Sequence, residues 1–538
     1  MTNKNQPSVA YFCMEYGLET NFKMFAGGLG ILAGDFLKGA KDGNYPIVGI
    51  GIKWKQGYTT QVISEDGTPI DTYPIYDYDF LEDTGVMVKV DIRKRPVYCK
   101  VWKCIQFGNA DLYLLDTDLP ENEDSWITGQ LYGWFGEERI AQEMVLGVGG
   151  VRALRALGLD IDIYHFNEGH ALFAGFELMR EKMEAGSDFE KAWTDSRKEI
   201  VFTTHTPVVQ GNESHPIDRI MYMGANMGLK RSELRKLGGN PFNMTVGGLR
   251  LSKKSNAVAQ LHGVTANKMW RKIKDKDEII AITNGVHHGT WVDSGMIDAC
   301  EKNDNSLWER HMHNKDGLIQ IVKEKTGIEL DREKLLIGFS RRAVPYKRSD
   351  LIFTDPATID PLLESRRIQL VFSGKGHPLD DNGKAIVRRL VEMQRKYPGA
   401  VVFLPNYDME IGAHLTRGSD VWLNNPRRPK EASGTSGMKA AMNGVLNLSI
   451  LDGWWPEACD HGNNGWKIGD EKVPRDQDKQ DAKDLKALYR VLKKDVIPTY
   501  YKNREKWIGM MRNSIRNTKD EFSVDRMLKE YYDLLYSA

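Results

Sequence analysis

The chain has 538 residues, 28% of them charged and 41% hydrophobic, and its 74 basic residues are balanced by 74 acidic ones. That length exceeds what one hydrophobic core serves, so at least two domains are expected. A formal net charge of zero argues against bulk nucleic-acid or membrane-surface binding but leaves room for a local basic pocket.

The N-terminal MTNKNQPSVAYF has no apolar core of signal-peptide length, and no apolar run is long enough to span a membrane. Cys13, Cys99, Cys104, Cys300 and Cys459 are scattered, with neither CxxC nor zinc-ligand spacing. They read as reduced thiols, and a cytoplasmic location is expected. Apolar strand-like runs alternate with helical stretches, the pattern of a parallel α/β sheet. In the first half the runs fall at 9–15, 47–54, 111–115, 161–166, 200–204 and 279–283. The second half repeats the rhythm at 335–340, 369–373, 401–404, 421–424 and 446–451. A polar helical stretch near 295–330 separates the halves. The expected domains are therefore 1–295, 296–500 and a set of C-terminal helices at 501–538 that packs back on the first.

In such sheets ligands sit beyond the carboxyl ends of the strands, so the residues just after each run matter most. Gly27-Gly28-Leu29-Gly30 turns into a helix, and Gly27 and Gly28 let backbone N–H groups approach an anion or a sugar oxygen. Its spacing is not the GxGxxG dinucleotide fingerprint, and a tight packing turn would read the same way. Asn167-Glu168-Gly169-His170 and Thr204-His205-Thr206 follow successive runs, and either histidine can meet a substrate hydroxyl. Thr283-Asn284-Gly285-Val286-His287-His288 ends the last run of the first half. Adjacent histidines point apart and HEXXH spacing is absent, so no metal is expected.

Cations cluster in the second half, where Arg341, Arg342, Lys347 and Arg348 follow one run directly. Four basic groups at a strand end point to a multiply charged anion, which Arg grips bidentately and Lys meets as a compact charge. Asn406-Tyr407 follows a later run. Glu431-Ala432-Ser433-Gly434-Thr435-Ser436-Gly437-Met438-Lys439 reads as a glycine- and hydroxyl-rich loop opening a helix. Such a loop aims amides at one point, with Lys439 close behind, although an ordinary capped helix has a similar sequence. No GxxxxGK[ST] phosphate loop exists, which argues against triphosphate hydrolysis.

Taken in order, these motifs resemble the α-glucan (glycogen/maltodextrin) phosphorylases, and the likeness is greatest to their short branch, which lacks a long N-terminal regulatory extension. The 431–439 stretch is the most specific of them, whereas GGLG is shared with glycogen synthases. The resemblance implies a GT-B fold, two doubly wound Rossmann-like domains facing a central cleft. It implies pyridoxal 5′-phosphate as cofactor and reversible, configuration-retaining phosphorolysis of α-1,4-glucan to α-D-glucose 1-phosphate. By likeness Lys439 is the Schiff-base lysine, and Arg341, Lys347, Gly434, Thr435 and Ser436 surround the cofactor phosphate. Trp291 packs near the cofactor ring, and Trp54 falls where longer relatives carry a tyrosine facing it. Arg342 and Lys347 hold the substrate phosphate. His205, Asn284, Glu431, Ser433 and Gly434 meet the transferred glucose, and Gly27, Gly28, Asn167, His170 and Tyr407 complete the substrate site. The resemblance also implies a homodimer and no phosphorylation control.

Chemistry agrees with that assignment, because a glycosidase would bring two opposed carboxylates to the strand ends, whereas this chain brings cations. Asp408 departs from the long forms, which carry arginine there, and Arg341 stands where they carry lysine. The segment 131–136 also departs from the short relatives. A sugar-nucleotide transferase of the glycogen synthase type has no need of Lys439. An inactive glucan-binding scaffold has no need of Arg342, Lys347 and Lys439 together, and nothing suggests the carboxylate-binding arginine of an aminotransferase.

Overall fold

The computed structural model describes residues 6–208, 211–302 and 305–537. They form two compact units. One comprises the chain up to Tyr58, Tyr73–Thr283 and the segment from Val524 onward; the other comprises Thr59–Thr72 and Asn284–Ser523. The units thus divide between Thr283 and Asn284, whereas the sequence suggested 295/296.

The first unit holds a nine-stranded sheet. From one edge the order is Ile279–Ala281, Lys254–Ala257, Ile200–Thr203, Ile163–Asn167, Val9–Phe12, Ile47–Ile52, Leu112–Asp116, Arg95–Cys104 and Glu82–Ile92. All pairs are parallel except the last two. The parallel strands are almost continuously buried, which is why runs such as IVGIGI and LYLLD carry so few polar residues. Val9–Phe12 sits where the order reverses, with Ala10 beside Val48 on one side and Tyr164 on the other. The Gly28–Asp42 helix runs close to the chain ahead of it: a Cβ on Gly34 would lie 2.0 Å from the Gly17 carbonyl oxygen.

The C-terminal segment belongs here for a packing reason. Helix Val524–Glu530 presses Val524 against Gly39, and beyond it the Tyr536 hydroxyl meets His165 Nδ1 at 2.7 Å. Helix Arg504–Thr518 belongs instead to the second unit, where Met511 and Ile515 join the core.

The second unit holds six parallel strands in the order Val401–Leu404, Ile368–Ser373, Leu335–Ser340, Val421–Asn424, Leu446–Ile450 and Gly465–Ile468. The order reverses between Leu335–Ser340 and Val421–Asn424, and a doubly wound sheet opens a crevice at that point. The hairpin Thr60–Ile63/Pro69–Thr72 lies far away in sequence but is tied to this unit. Gln61 exchanges two hydrogen bonds with Gly376 (2.9 and 3.1 Å), and Asp71 pairs with Lys384 at 2.6 Å. In the polar stretch after the expected boundary, helix Ser306–Thr326 buries Lys315 against Asp420 at 2.6 Å, and His311 reaches the other Asp420 oxygen at 2.9 Å.

Candidate functional site

In the second unit the site grows from the strand ends at the reversal. Leu335–Ser340 delivers Arg341, and Val421–Asn424 delivers Asn424, to which the Arg341 guanidinium donates. Arg341 also donates to Glu431 Oε1 at 2.7 Å, while Lys347 reaches Glu431 Oε2 at 2.6 Å. All three side chains are enclosed, none more than 11% exposed. Burial pushes the Glu431 carboxyl up, but Arg341 and Lys347 outweigh it and hold the group below its usual range. Two cations and one carboxylate leave a net positive charge, which a second anion can balance.

Behind Glu431 stands Asp452, which the sequence reading did not single out because Asp452-Gly453 looks like a plain turn. Its carboxylate accepts from the amides of Glu431 (3.0 Å) and Gly453 (2.9 Å). Burial, and then the Glu431 charge, raise its pKa to about 7. A small cavity is lined by Arg341, Asn424, Glu431, Ser433, Gly434 and Asp452. Ser433 is 4% exposed, and its hydroxyl has no hydrogen-bond partner among the described residues.

Gly434 adopts φ +90°, a left-handed turn that glycine takes without strain, and it starts the helix Thr435–Met442. No side chain caps that helix, so Thr435 and Ser436 present first-turn amides beside the cavity wall at Gly434. One turn on, Lys439 is 4% exposed, with Nζ 3.4 Å from the centroid of the Trp291 ring. Asn443 fixes this pair by donating to the carbonyls of Trp291 (3.0 Å) and Lys439 (2.8 Å).

The other basic residues divide. Arg342 is exposed, at the rim of the same loop. Arg348 turns away from the anion site: its backbone is left-handed (φ +53°), and its guanidinium is spent on Asp481 (2.8 Å), Asp484 (2.9 Å) and the Asn425 carbonyl (2.7 Å). It is a structural cation. Asp408 caps helix Met409–Gly418, accepting from the Ile411 amide at 2.9 Å, which gives the acid at this position a structural role. Tyr407 sits just before that cap, its ring against Gly412. Asn284 is buried at the start of this unit. The adjacent histidines have separate partners, His287 the Thr290 hydroxyl at 2.8 Å and His288 the Lys519 carbonyl at 2.7 Å.

The first unit has its own group of polar residues after its strands. His205 Nε2 meets Asn167 Oδ1 at 2.5 Å, while Asn167 donates to Cys13 Sγ at 3.3 Å. Glu168, at an unusual φ of +75°, accepts from the amide of His205 (2.8 Å) and the hydroxyl of Thr206 (3.1 Å). Enclosure pulls the His205 pKa down to about 3, so its imidazole is neutral at ordinary pH. Gly27 donates its amide to Glu15 Oε2 at 3.0 Å, and a Cβ at Gly27 or Gly28 would meet nothing within 4 Å. Neither glycine is therefore required by packing. Trp54 lies in the core of this unit, its indole N–H donating to the Met14 carbonyl at 2.9 Å. His170 packs beside Tyr132, with ring centroids 5.6 Å apart.

A buried lysine behind an uncapped helix start, beside paired cations at a sheet's switch point, is an arrangement for an anionic group held covalently or by charge. Residues 296–462 match the model of the carbohydrate phosphorylase family. The maltodextrin phosphorylase of Thermococcus litoralis is 39% identical over 99% of this chain and 71% of its own length. The glycogen phosphorylase of Aquifex aeolicus is 36% identical over 98% of this chain and 86% of its own. An uncharacterised protein of Methanocaldococcus jannaschii is 38% identical over 98% of this chain and 99% of its own. The chain belongs to the carbohydrate phosphorylase family, and its two α/β units, built on mainly parallel sheets, are of the GT-B class. Among the described residues no helix is long and apolar enough to cross a membrane.

Proposed function

We propose that the chain catalyses reversible phosphorolysis of α-1,4-glucan to α-D-glucose 1-phosphate with retention of configuration, using pyridoxal 5′-phosphate carried on Lys439. The observation that carries this reading is the enclosed Arg341–Glu431–Lys347 group beside the uncapped helix that bears Lys439. The names of the maltodextrin and glycogen phosphorylases it resembles support the substrate class.

The residues present fit the cofactor. Lys439 is buried against an aromatic face, which excludes water from its amine, and the unpartnered Ser433 hydroxyl and the Thr435 and Ser436 amides lie at the anion end. Arg341, Gly434, Thr435 and Ser436 would hold its phosphate, and Trp291 would flank its ring. When bound, the cofactor supplies a phosphate whose charge tunes the substrate phosphate beside it.

Lys347 and Arg342 would bind inorganic phosphate, with Lys347 exchanging Glu431 for the incoming anion. Glu431, released from Lys347 and still steadied by Arg341, then faces sugar hydroxyls together with Ser433. The held phosphate gives its proton to the leaving glycosidic oxygen and attacks the anomeric carbon from the same face, which retains configuration. Neutral His205, donating Nε2–H to Asn167, keeps Nδ1 as an acceptor for a sugar hydroxyl. A homodimer and a cytoplasmic setting complete the proposal.

Purified protein supplied with maltodextrin and phosphate should release glucose 1-phosphate, and Lys439→Ala should abolish that activity. A protein without pyridoxal phosphate that instead binds ADP-glucose would overturn the reading in favour of a sugar-nucleotide transferase.

A further inference from the structure

A second group of titratable side chains, all in the first unit, joins His170 of the expected substrate site to two carboxylates. Glu143 comes from helix Glu137–Met144, His170 from the turn after Ile163–Asn167, and Glu213 from the segment before Ser214-His215. One donor atom from each lies within 4.8 Å of the other two. Glu143 is 0% exposed, and neither its Oε1 nor His170 Nδ1 has a hydrogen-bond partner among the described residues. Leaving buried polar atoms unpaired is costly, so a ligand between them is the natural remedy.

Charge points the same way. Two carboxylates face one fixed cation, Arg139, whose guanidinium lies 3.8 Å from Glu213. The remaining neighbour, His215, meets Glu143 Oε2 at 3.2 Å. With both carboxylates ionised, one negative charge is unmatched, and a proton or a metal ion can meet it.

We propose that Glu143, His170 and Glu213 form a binding site for a divalent first-row transition cation, Zn2+ by preference. Carboxylate and imidazole donors suit that class, and three protein ligands leave one position for water or a ligand. Ligand atoms about 2.1 Å from a tetrahedral metal stand about 3.4 Å apart, so the group must draw in by up to about 1.4 Å to bind one. His215 and Arg139 would act as outer partners that orient the two carboxylates. Zinc would then clasp the helix, the turn and the 211–216 segment together.

The test uses the full chain, stripped with chelator and titrated with ZnCl2 by calorimetry. The wild type should take up one Zn2+ per chain, and Glu143→Gln and Glu213→Gln should each weaken binding by about 100-fold or more, since outer-shell changes alone cost roughly 10- to 100-fold. X-ray absorption on the wild-type zinc form should show nitrogen and oxygen ligands only. That measurement stands even if a variant fails to fold. Absence of stoichiometric uptake, sulfur in the coordination shell, or unchanged affinity in the folded variants would overturn the proposal.

Discussion

Asp452→Asn isolates the electrostatic cost built into the back of the site. The Asp452 carboxyl is 3% exposed, and its pKa rises from 3.8 to about 7 because burial and the Glu431 charge both penalise the ionised form. A raised value means that its contribution to stability is complete below pH 3.8 and is lost as pH rises through about 7. The roughly three-unit difference amounts to about 4 kcal/mol above that range. Asparagine has no charge to bury. It keeps one acceptor oxygen but leaves one of the two amides, Glu431 or Gly453, without its partner, a loss of about 1–2 kcal/mol. The variant should therefore be more stable than wild type by about 2–3 kcal/mol near pH 8.5 and within about 1 kcal/mol of it near pH 5. Urea denaturation of both proteins at the two pH values measures the difference and cancels every other titration. A difference that does not change between pH 5 and pH 8.5 would refute the reasoning.

Other perturbations separate the roles of the charged groups. Glu431→Gln leaves Arg341 and Lys347 without their carboxylate and should lower stability by about 3 kcal/mol or more, with inorganic phosphate restoring more in the variant than in wild type. Arg348→Ala should destabilise by a similar amount, about 3 kcal/mol, by stranding Asp484 while Asp481 keeps Arg427, yet leave phosphate affinity of the folded protein unchanged in equilibrium dialysis. Asp408→Ala removes a helix cap and should cost about 1 kcal/mol in denaturant titration with little change in substrate affinity.

Much of the sheet architecture was visible in the sequence because buried parallel strands read as unbroken apolar runs. LLIGFS, VVFL and VWLN are of that kind, and the chain supplies polar groups within two residues of their ends, at Arg341, Asn406 and Asn425. The antiparallel strands Glu82–Ile92 and Arg95–Cys104, at one end of the first sheet, escaped notice for the opposite reason. One of their faces meets water, so residues such as Lys89 and Lys100 interrupt the run. Nothing local announces that Thr59–Thr72 joins the second unit, since the Gln61–Gly376 and Asp71–Lys384 contacts exist only after folding.

The site was legible as chemistry but not as geometry. Four neighbouring cations looked alike in sequence, yet the left-handed turn at Arg348 sends it to Asp481 and Asp484 while Arg341 and Lys347 share Glu431. The Glu143–His170–Glu213 group is assembled from three distant segments and therefore has no motif spacing to find.

The central claim is that Lys439 carries the cofactor whose phosphate the adjoining helix start receives. Borohydride reduction of the purified enzyme, followed by proteolysis and mass spectrometry, tests it most directly. The account predicts one pyridoxyl group per chain, on the peptide that contains Lys439. A pyridoxyl group on any other lysine, or none at all in active enzyme, would contradict it.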